Sequence, residues 1–159
     1  MSISYIGLGS NIGNRKKNIT KACLKIAKIP KTSILRNSPL YKTSPVGPKQ
    51  REFINGVLKI RTFLSPVALL EELKAIENAM GRKPGKHWGP RVIDLDILMF
   101  GKKKYRKAGL TIPHPEVPNR LFVLEPLMKV VPAELKKNVR KMKENLSLTM
   151  SGQKVRILK

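Results

Sequence analysis

The chain has 159 residues, 41% of them apolar, which is enough to bury a core in one domain and too many for compositional disorder. Thirty-three Lys and Arg against ten acids give a net charge of +23, which favours anionic partners through the whole-protein field without saying which anion. A single cysteine, Cys23, excludes an internal disulfide; no run approaches bilayer length and the first residues lack a charged leader, so a cytoplasmic protein is expected.

Residues 2–9 read as a strand with Ile3, Tyr5 and Gly7 on one face, running into the turn-rich Gly9-Ser10-Asn11-Ile12-Gly13-Asn14. Ile19, Ala22, Cys23, Ile26 and Ala27 then recur at helical spacing, and Pro30 ends that helix. Strand, glycine loop and helix in this order invite a dinucleotide fold. The spacing Gly7-x-Gly9-x-x-x-Gly13 misses that fingerprint by one, and no acid follows about twenty residues on to hold a ribose, so it is rejected.

Residues 33–43 look extended and lead into Lys42-Thr43-Ser44-Pro45-Val46-Gly47-Pro48, a restricted loop that either presents main-chain groups to a ligand or merely connects. Phe53–Arg61 is a further strand, in which Asn55 is either a ligand contact or a satisfied core amide. Ser65-Pro66 signals a helix start. Its stripe is Pro66, Leu69, Leu70, Leu73, Ile76 and Met80, and Gly81 stops it. Glu77 lies near that helix's C-terminus, where the dipole disfavours a carboxylate, and the mismatch hints at a role.

The segment from Val92 to Met99 alternates with the period of a strand and holds the chain's only two aspartates, Asp94 and Asp96. Both carboxylates face one side, roughly 6.5–7 Å apart at the strand rise. Val92 and Leu98 share that side, and Ile93, Leu95, Ile97 and Met99 face the other. Salt-bridged surface acids are the plainer reading of the pair. The sharper one is a site for a hard divalent ion such as Mg²⁺, which takes carboxylate oxygens and shares its remaining positions with water and substrate phosphates. Arg91, three residues before Asp94, suits a place where phosphate, metal and protein meet.

Lys102–Lys107 reads as an exposed basic hairpin. His114, between Pro113 and Pro115, is either a donor at a site rim or a structural histidine. A proline-punctuated stretch runs to Pro132, and the pattern beyond residue 138 is amphipathic without specifying more. The order of elements suggests an α+β domain with an antiparallel sheet and helices packed on one face.

With these pieces in place the chain resembles the 6-hydroxymethyl-7,8-dihydropterin pyrophosphokinases. His87-x-Gly89-Pro90-Arg91-x-x-Asp94-Leu95-Asp96-Ile97-Leu98 matches that family's signature at each specified position. Gly9-Ser10-Asn11, Tyr41-x-Thr43-Ser44-Pro45-x-Gly47-Pro48, Phe53-x-Asn55, Gly81-Arg82, Pro113-His114 and Asn119-Arg120-x-Phe122 match in family order, over roughly residues 3–135.

The resemblance implies a single domain over 1–159, with a ferredoxin-like antiparallel sheet and helices packed on its faces; residues 136–159 are not covered by it. It also implies transfer of the β,γ-pyrophosphoryl group of ATP to the hydroxymethyl group of a reduced pterin, with AMP as second product and two Mg²⁺ ions held by Asp94 and Asp96. Arg82 and Arg91 would stabilise the transferring group. Phe53 and Phe122 would stack on the pterin, Asn55 would read its amide edge, and Thr43, Ser44, Val46 and Trp88 would complete that pocket. Glu77, Arg82, Trp88, Arg91, Ile97, Thr111, His114 and Arg120 would contact the nucleotide.

A nucleic-acid-binding module is the rival that the charge supports. Aromatics at 5%, the central acidic pair and an even spread of charge weigh against it: residues 1–100 carry eighteen bases and six acids, the remainder fifteen and four. Small-molecule substrates, no membrane, no specific nucleic acid and a monomer are therefore expected.

Overall fold

The structure is a computed structural model that describes residues 1–45, 50–82, 89–107, 109–149 and 152–158. In chain order its elements are β1 (Ser2–Ser10), α1 (Arg15–Ile26), β2 (Thr32–Asn37), β3 (Tyr41–Thr43), β4 (Phe53–Thr62), α2 (Pro66–Ala79) and β5 (Asp94–Phe100). There follow β6 (Tyr105–Lys107), β7 (Leu110–Ile112), a 3₁₀ turn (Val117–Asn119), α3 (Leu121–Leu127), α4 (Ala133–Leu148) and β8 (Val155–Ile157). Six strands form one antiparallel sheet in the order β5-β1-β4-β3-β8, with β2 lying beside β3 along the same edge of β4. The remaining two, β6 and β7, pair with each other.

Local chemistry sets the helix ends. The Asn14 side chain accepts from the Lys17 N–H at 3.0 Å to start α1, and Ser65 accepts from the Ala68 N–H at 3.1 Å, with Pro66 in the first turn, to start α2. Gly81, at φ +87°, turns the chain after α2 in a conformation that costs a glycine little.

Strand alternation divides the core in two. Ile6, Leu8, Ile54, Leu58, Ile60, Leu95 and Ile97 meet Ile19, Ala22 and Ile26 of α1 and Leu69, Leu73 and Ile76 of α2. On the opposite side Tyr5, Val57 and Leu98 meet Val123, Leu124 and Leu127 of α3 and Val139 and Leu146 of α4. Helices therefore cover both faces of the sheet, not the one face that element order suggests, because α3 and α4 bury the second apolar side of the strands. Cys23 is half-buried against the first cluster, and burial pushes its thiol up.

Three differences from the sequence reading have physical causes. A bulge in β5 pairs Tyr5 with Met99 and Ile6 with Ile97, so the strict alternation fails after Ile97. Phe100, not Met99, then joins Ile93, Leu95 and Ile97 in the core. The hairpin lies later than the lysine run, at 105–112, where the apolar Leu110 and Ile112 can be buried. Finally, residues past 138 complete α4 and supply β8, an edge strand that the sequence reading left unassigned. Among the described residues no helix is long and apolar enough to cross a membrane.

Candidate active site

Directly paired residues on antiparallel strands share a face, and one row across the sheet reads Asp94, Gly9, Asn55, Tyr41. Asp94 and Asn55 thus stand two strands apart, roughly 10 Å at sheet spacing. Gly9 fills the strand between them with no side chain. A Cβ there would come within 2.8 Å of Asn55 Oδ1, so the glycine keeps the floor open. Farther along the same face Tyr5, Val57 and Leu98 are roofed by α3 and α4. The polar floor begins where that roof stops.

Asp94 is the electrostatic centre. Arg82 Nη1 donates to its Oδ1 and Arg91 Nη1 to its Oδ2, both at 2.8 Å. Burial works against the Arg82 charge, but Asp94 and Glu77 outweigh it and hold the guanidinium above its ordinary pKa. The plain reading of Asp94 as a salt-bridged acid is thus met in this chain, without excluding the other. For Asp96, burial and then the neighbouring Asp94 push the carboxyl above the usual carboxylate range. Among the described residues none makes a hydrogen bond or ion pair to it.

A carboxylate whose charge is disfavoured and unpaired, beside a second carboxylate on an open floor, fits a hard cation. Among the described residues no three His, Cys, Asp or Glu side chains gather in a metal-binding cluster. That donor set does not fit a closed tetrahedral site, and it does fit Mg²⁺, which keeps water and phosphate oxygens as ligands.

Two hollows meet at Asp96. One, of about 310 Å³, is lined by Thr43, Ser44, Gln50, Phe53, Asn55, Arg82, Gly89, Arg91, Asp94, Asp96, His114, Arg120 and Phe122. The second, of about 300 Å³, is lined by Leu70, Lys74, Asp96, Ile97, Gly109, Leu110, Thr111, His114 and Pro115. Asp96 and His114 belong to both. His114 Nδ1 accepts from the Glu116 N–H at 3.2 Å, which leaves Nε2 as the ring's donor.

The residues expected around a pterin, Thr43, Ser44, Phe53, Asn55 and Phe122, fall in the first hollow together with Arg82 and Arg91. Of the two readings the sequence left open for Asn55, the satisfied buried amide is present, with Nδ2 donating to Thr43 Oγ1 at 2.7 Å, and the residue also lines the hollow. Ile97, Thr111 and His114 line the second hollow, Ile97 from within the core. Arg120 lines the first hollow instead, with its guanidinium 5.8 Å from the Phe122 ring centroid. Val46 and Trp88 lie outside the described residues.

Glu77, expected at the nucleotide, sits behind the two hollows rather than in their lining. It is 1% exposed and lines neither hollow. Its carboxylate pairs with Arg82, accepts from Lys74 Nζ at 2.9 Å and accepts from the Leu95 N–H at 2.7 Å. Because β5 is an edge strand, Leu95 needs such a partner, and Glu77 ties α2 to the strand that carries both aspartates.

Sequence reasoning missed two contributors. Lys74 lines the second hollow from α2; its only signal was a position three residues before Glu77. The other is Asn11, 2% exposed: its Oδ1 accepts from the Arg91 N–H at 2.7 Å and its Nδ2 donates to Gln50 Oε1 at 2.9 Å. It fixes the main chain that presents Arg91.

A model of the family described as 7,8-dihydro-6-hydroxymethylpterin-pyrophosphokinase (HPPK) matches residues 5–132. The chain is 41% identical over 131 residues to the 2-amino-4-hydroxy-6-hydroxymethyldihydropteridine pyrophosphokinase of Haemophilus influenzae, covering 82% of each. It is equally identical over 130 residues to that of Bacillus subtilis, covering 81% of this chain and 78% of the relative. Against the bifunctional protein FolKE of Lactococcus lactis subsp. cremoris it is 39% identical over 137 residues, spanning 86% of this chain and only 39% of that longer protein. Its fold is similar to that in a crystal structure of an HPPK-DHPS with substrates, at TM-score 0.71 and 15% identity, over 96% of this chain and 46% of the other. The span of the family match and the identity to the two pyrophosphokinases, taken with the acid pair and its flanking arginines, show that this chain belongs to the 7,8-dihydro-6-hydroxymethylpterin-pyrophosphokinase family.

Proposed function

We propose that this chain transfers the β,γ-pyrophosphoryl group of ATP to the hydroxymethyl group of 6-hydroxymethyl-7,8-dihydropterin, in folate biosynthesis, as a Mg²⁺-dependent cytoplasmic monomer with one pyrophosphokinase domain. The observation that carries this reading is the pair of hollows sharing Asp96 and His114: one has aromatic and amide groups for a flat heterocycle and both aspartates, and the other adjoins it at Asp96 and His114. The strand order also supports the finer fold assignment. β5-β1-β4-β2, taken with α1 and α2 after β1 and β4, is the arrangement of a ferredoxin-like βαββαβ unit.

Phe53 and Phe122 stack on the pterin, a contact worth about 0.5–1.5 kcal/mol per aromatic pair beyond area burial. Asn55 reads its amide edge, and Thr43, to which Asn55 donates, holds that amide in place. Asp94 and Asp96 are the residues that would hold two Mg²⁺ ions, whose chemistry when bound is to neutralise charge on the triphosphate oxygens. Arg82 and Arg91 exchange Asp94 for phosphate oxygens once the carboxylate is otherwise engaged. The hydroxymethyl oxygen forms its bond to the β-phosphorus as the bond from that phosphorus to the oxygen of AMP breaks. Positioning and electrostatics carry the step, with no side chain assigned as general base.

The direct test is an assay of AMP release from ATP with the hydroxymethyl-dihydropterin, run with Mg²⁺ and again in chelator. Pterin-dependent AMP that disappears on chelation is expected. ATP consumption that ignores the pterin, or that yields ADP, would refute the assignment.

A further inference from the structure

The stretch after α4 lies beyond the family match, yet it reaches both walls of the first hollow. β8 pairs with β3, Thr43 opposite Val155. Just before it, the Ser44 N–H donates to the Lys154 carbonyl and the Lys154 N–H donates back to Ser44 Oγ, each at 3.0 Å. These bonds fix one wall at Thr43 and Ser44. The neighbouring residue serves the opposite wall. Gln153 Oε1 accepts from the Leu121 N–H at 2.9 Å, and Gln153 Nε2 donates to the Asn119 carbonyl at 3.0 Å.

Leu121 is the first residue of α3, and Phe122 follows it. Arg120, at the cap position, gives α3 no side-chain bond. A helix start normally draws such a bond from its own N-cap; here it comes from an amide 32 residues along the chain. Gln153 is half-buried and lies outside both hollows, so it does not touch the proposed substrates. Arg156 completes the strap by donating to Glu52 Oε1 at 3.2 Å, beside the ion pair of Glu52 with Lys42 on β3.

We propose that Gln153 is a positioning residue for the pterin pocket: its two amide bonds set the first turn of α3, and with it Phe122, at a fixed distance from the Thr43–Ser44 wall to which residue 154 is bonded. The C-terminal strap is thus a determinant of pterin affinity and leaves the nucleotide hollow untouched. This rests on the pyrophosphokinase reading for the identity of the ligand; the clamp itself does not.

Gln153→Ala tests it by two readouts. Amide hydrogen exchange followed by mass spectrometry should show faster exchange across 119–124, with α2 unchanged. Steady-state kinetics should show the pterin KM raised roughly three- to tenfold, the size of one or two lost hydrogen bonds, with the ATP KM and kcat within about twofold. Gln153→Glu keeps the acceptor for Leu121 and removes the donor to Asn119, so it should fall between the two. Unchanged exchange, or faster exchange with an unchanged pterin KM, would overturn the assignment, as would an equal rise in both KM values. A wild-type chain that does not turn over the pterin would instead sink the functional reading, while exchange across 119–124 still decides whether the clamp exists.

Discussion

At the scale of single residues, the site depends on one absent side chain and one uncomfortable charge. Gly9 lies between Asn55 and Asp94, and a Cβ there would strike Asn55 Oδ1. Gly9→Ala is expected to displace Asn55 and raise the pterin dissociation constant about tenfold or more while the chain stays folded; titration of the pterin by calorimetry measures it, and wild-type affinity would show that the floor has slack. Asp96 has the opposite problem, since burial and Asp94 disfavour its ionised form. A carboxyl whose pKa is raised on folding costs stability at every pH above that raised value, and the cost vanishes below the unfolded value of about 3.9. Asp96→Asn should therefore melt higher than wild type in chelator at pH 7, the advantage shrinking as pH falls towards about 4, and should lose AMP formation. A mutant that melts lower in chelator at neutral pH would contradict that account of the acid pair.

At the scale of elements, the aspartate strand is held from its outer edge. Among the described residues β5 pairs only with β1, and its other side is closed by Glu77 at Leu95 and by the His114 N–H, which donates to the Leu98 carbonyl at 2.9 Å. Glu77→Ala removes the partner of a buried N–H and should cost about 1–3 kcal/mol. Glu77→Gln keeps an acceptor and should cost less. Denaturant melts of the two variants check the order, and equal losses would mean that the carboxylate charge, not the strand bond, is what matters. From sequence, a carboxylate at a helix C-terminus could be flagged as odd but not explained, because its partner is on a strand eighteen residues away. The bulge at Leu98 was likewise illegible: a period-2 pattern carries no mark for one extra residue until the neighbouring strand fixes the register.

At the scale of the whole molecule, the net charge of +23 exceeds what the site uses, and it surrounds a core that does not depend on it. Self-repulsion of that size should be relieved by screening, so the melting temperature is expected to rise as salt goes from about 0.01 to 0.15 M, where the Debye length falls from about 30 to 8 Å. A flat or falling curve would show that the ion pairs at Asp94, Glu52 and Glu77 outweigh the repulsion. The sequence by itself determined the strand and helix periods, the cap at Ser65, the shared side of Asp94 and Asp96, and the family motifs, because each of these is written within a few residues of chain. Only the tertiary structure decided that Glu77 lies behind the site, that Asn11 holds Arg91, that Asp94 already carries two arginines, and that the C-terminal strap reaches both pocket walls. Those contacts join residues far apart in the chain, and nothing local distinguishes them until strand pairing has fixed which faces and edges meet.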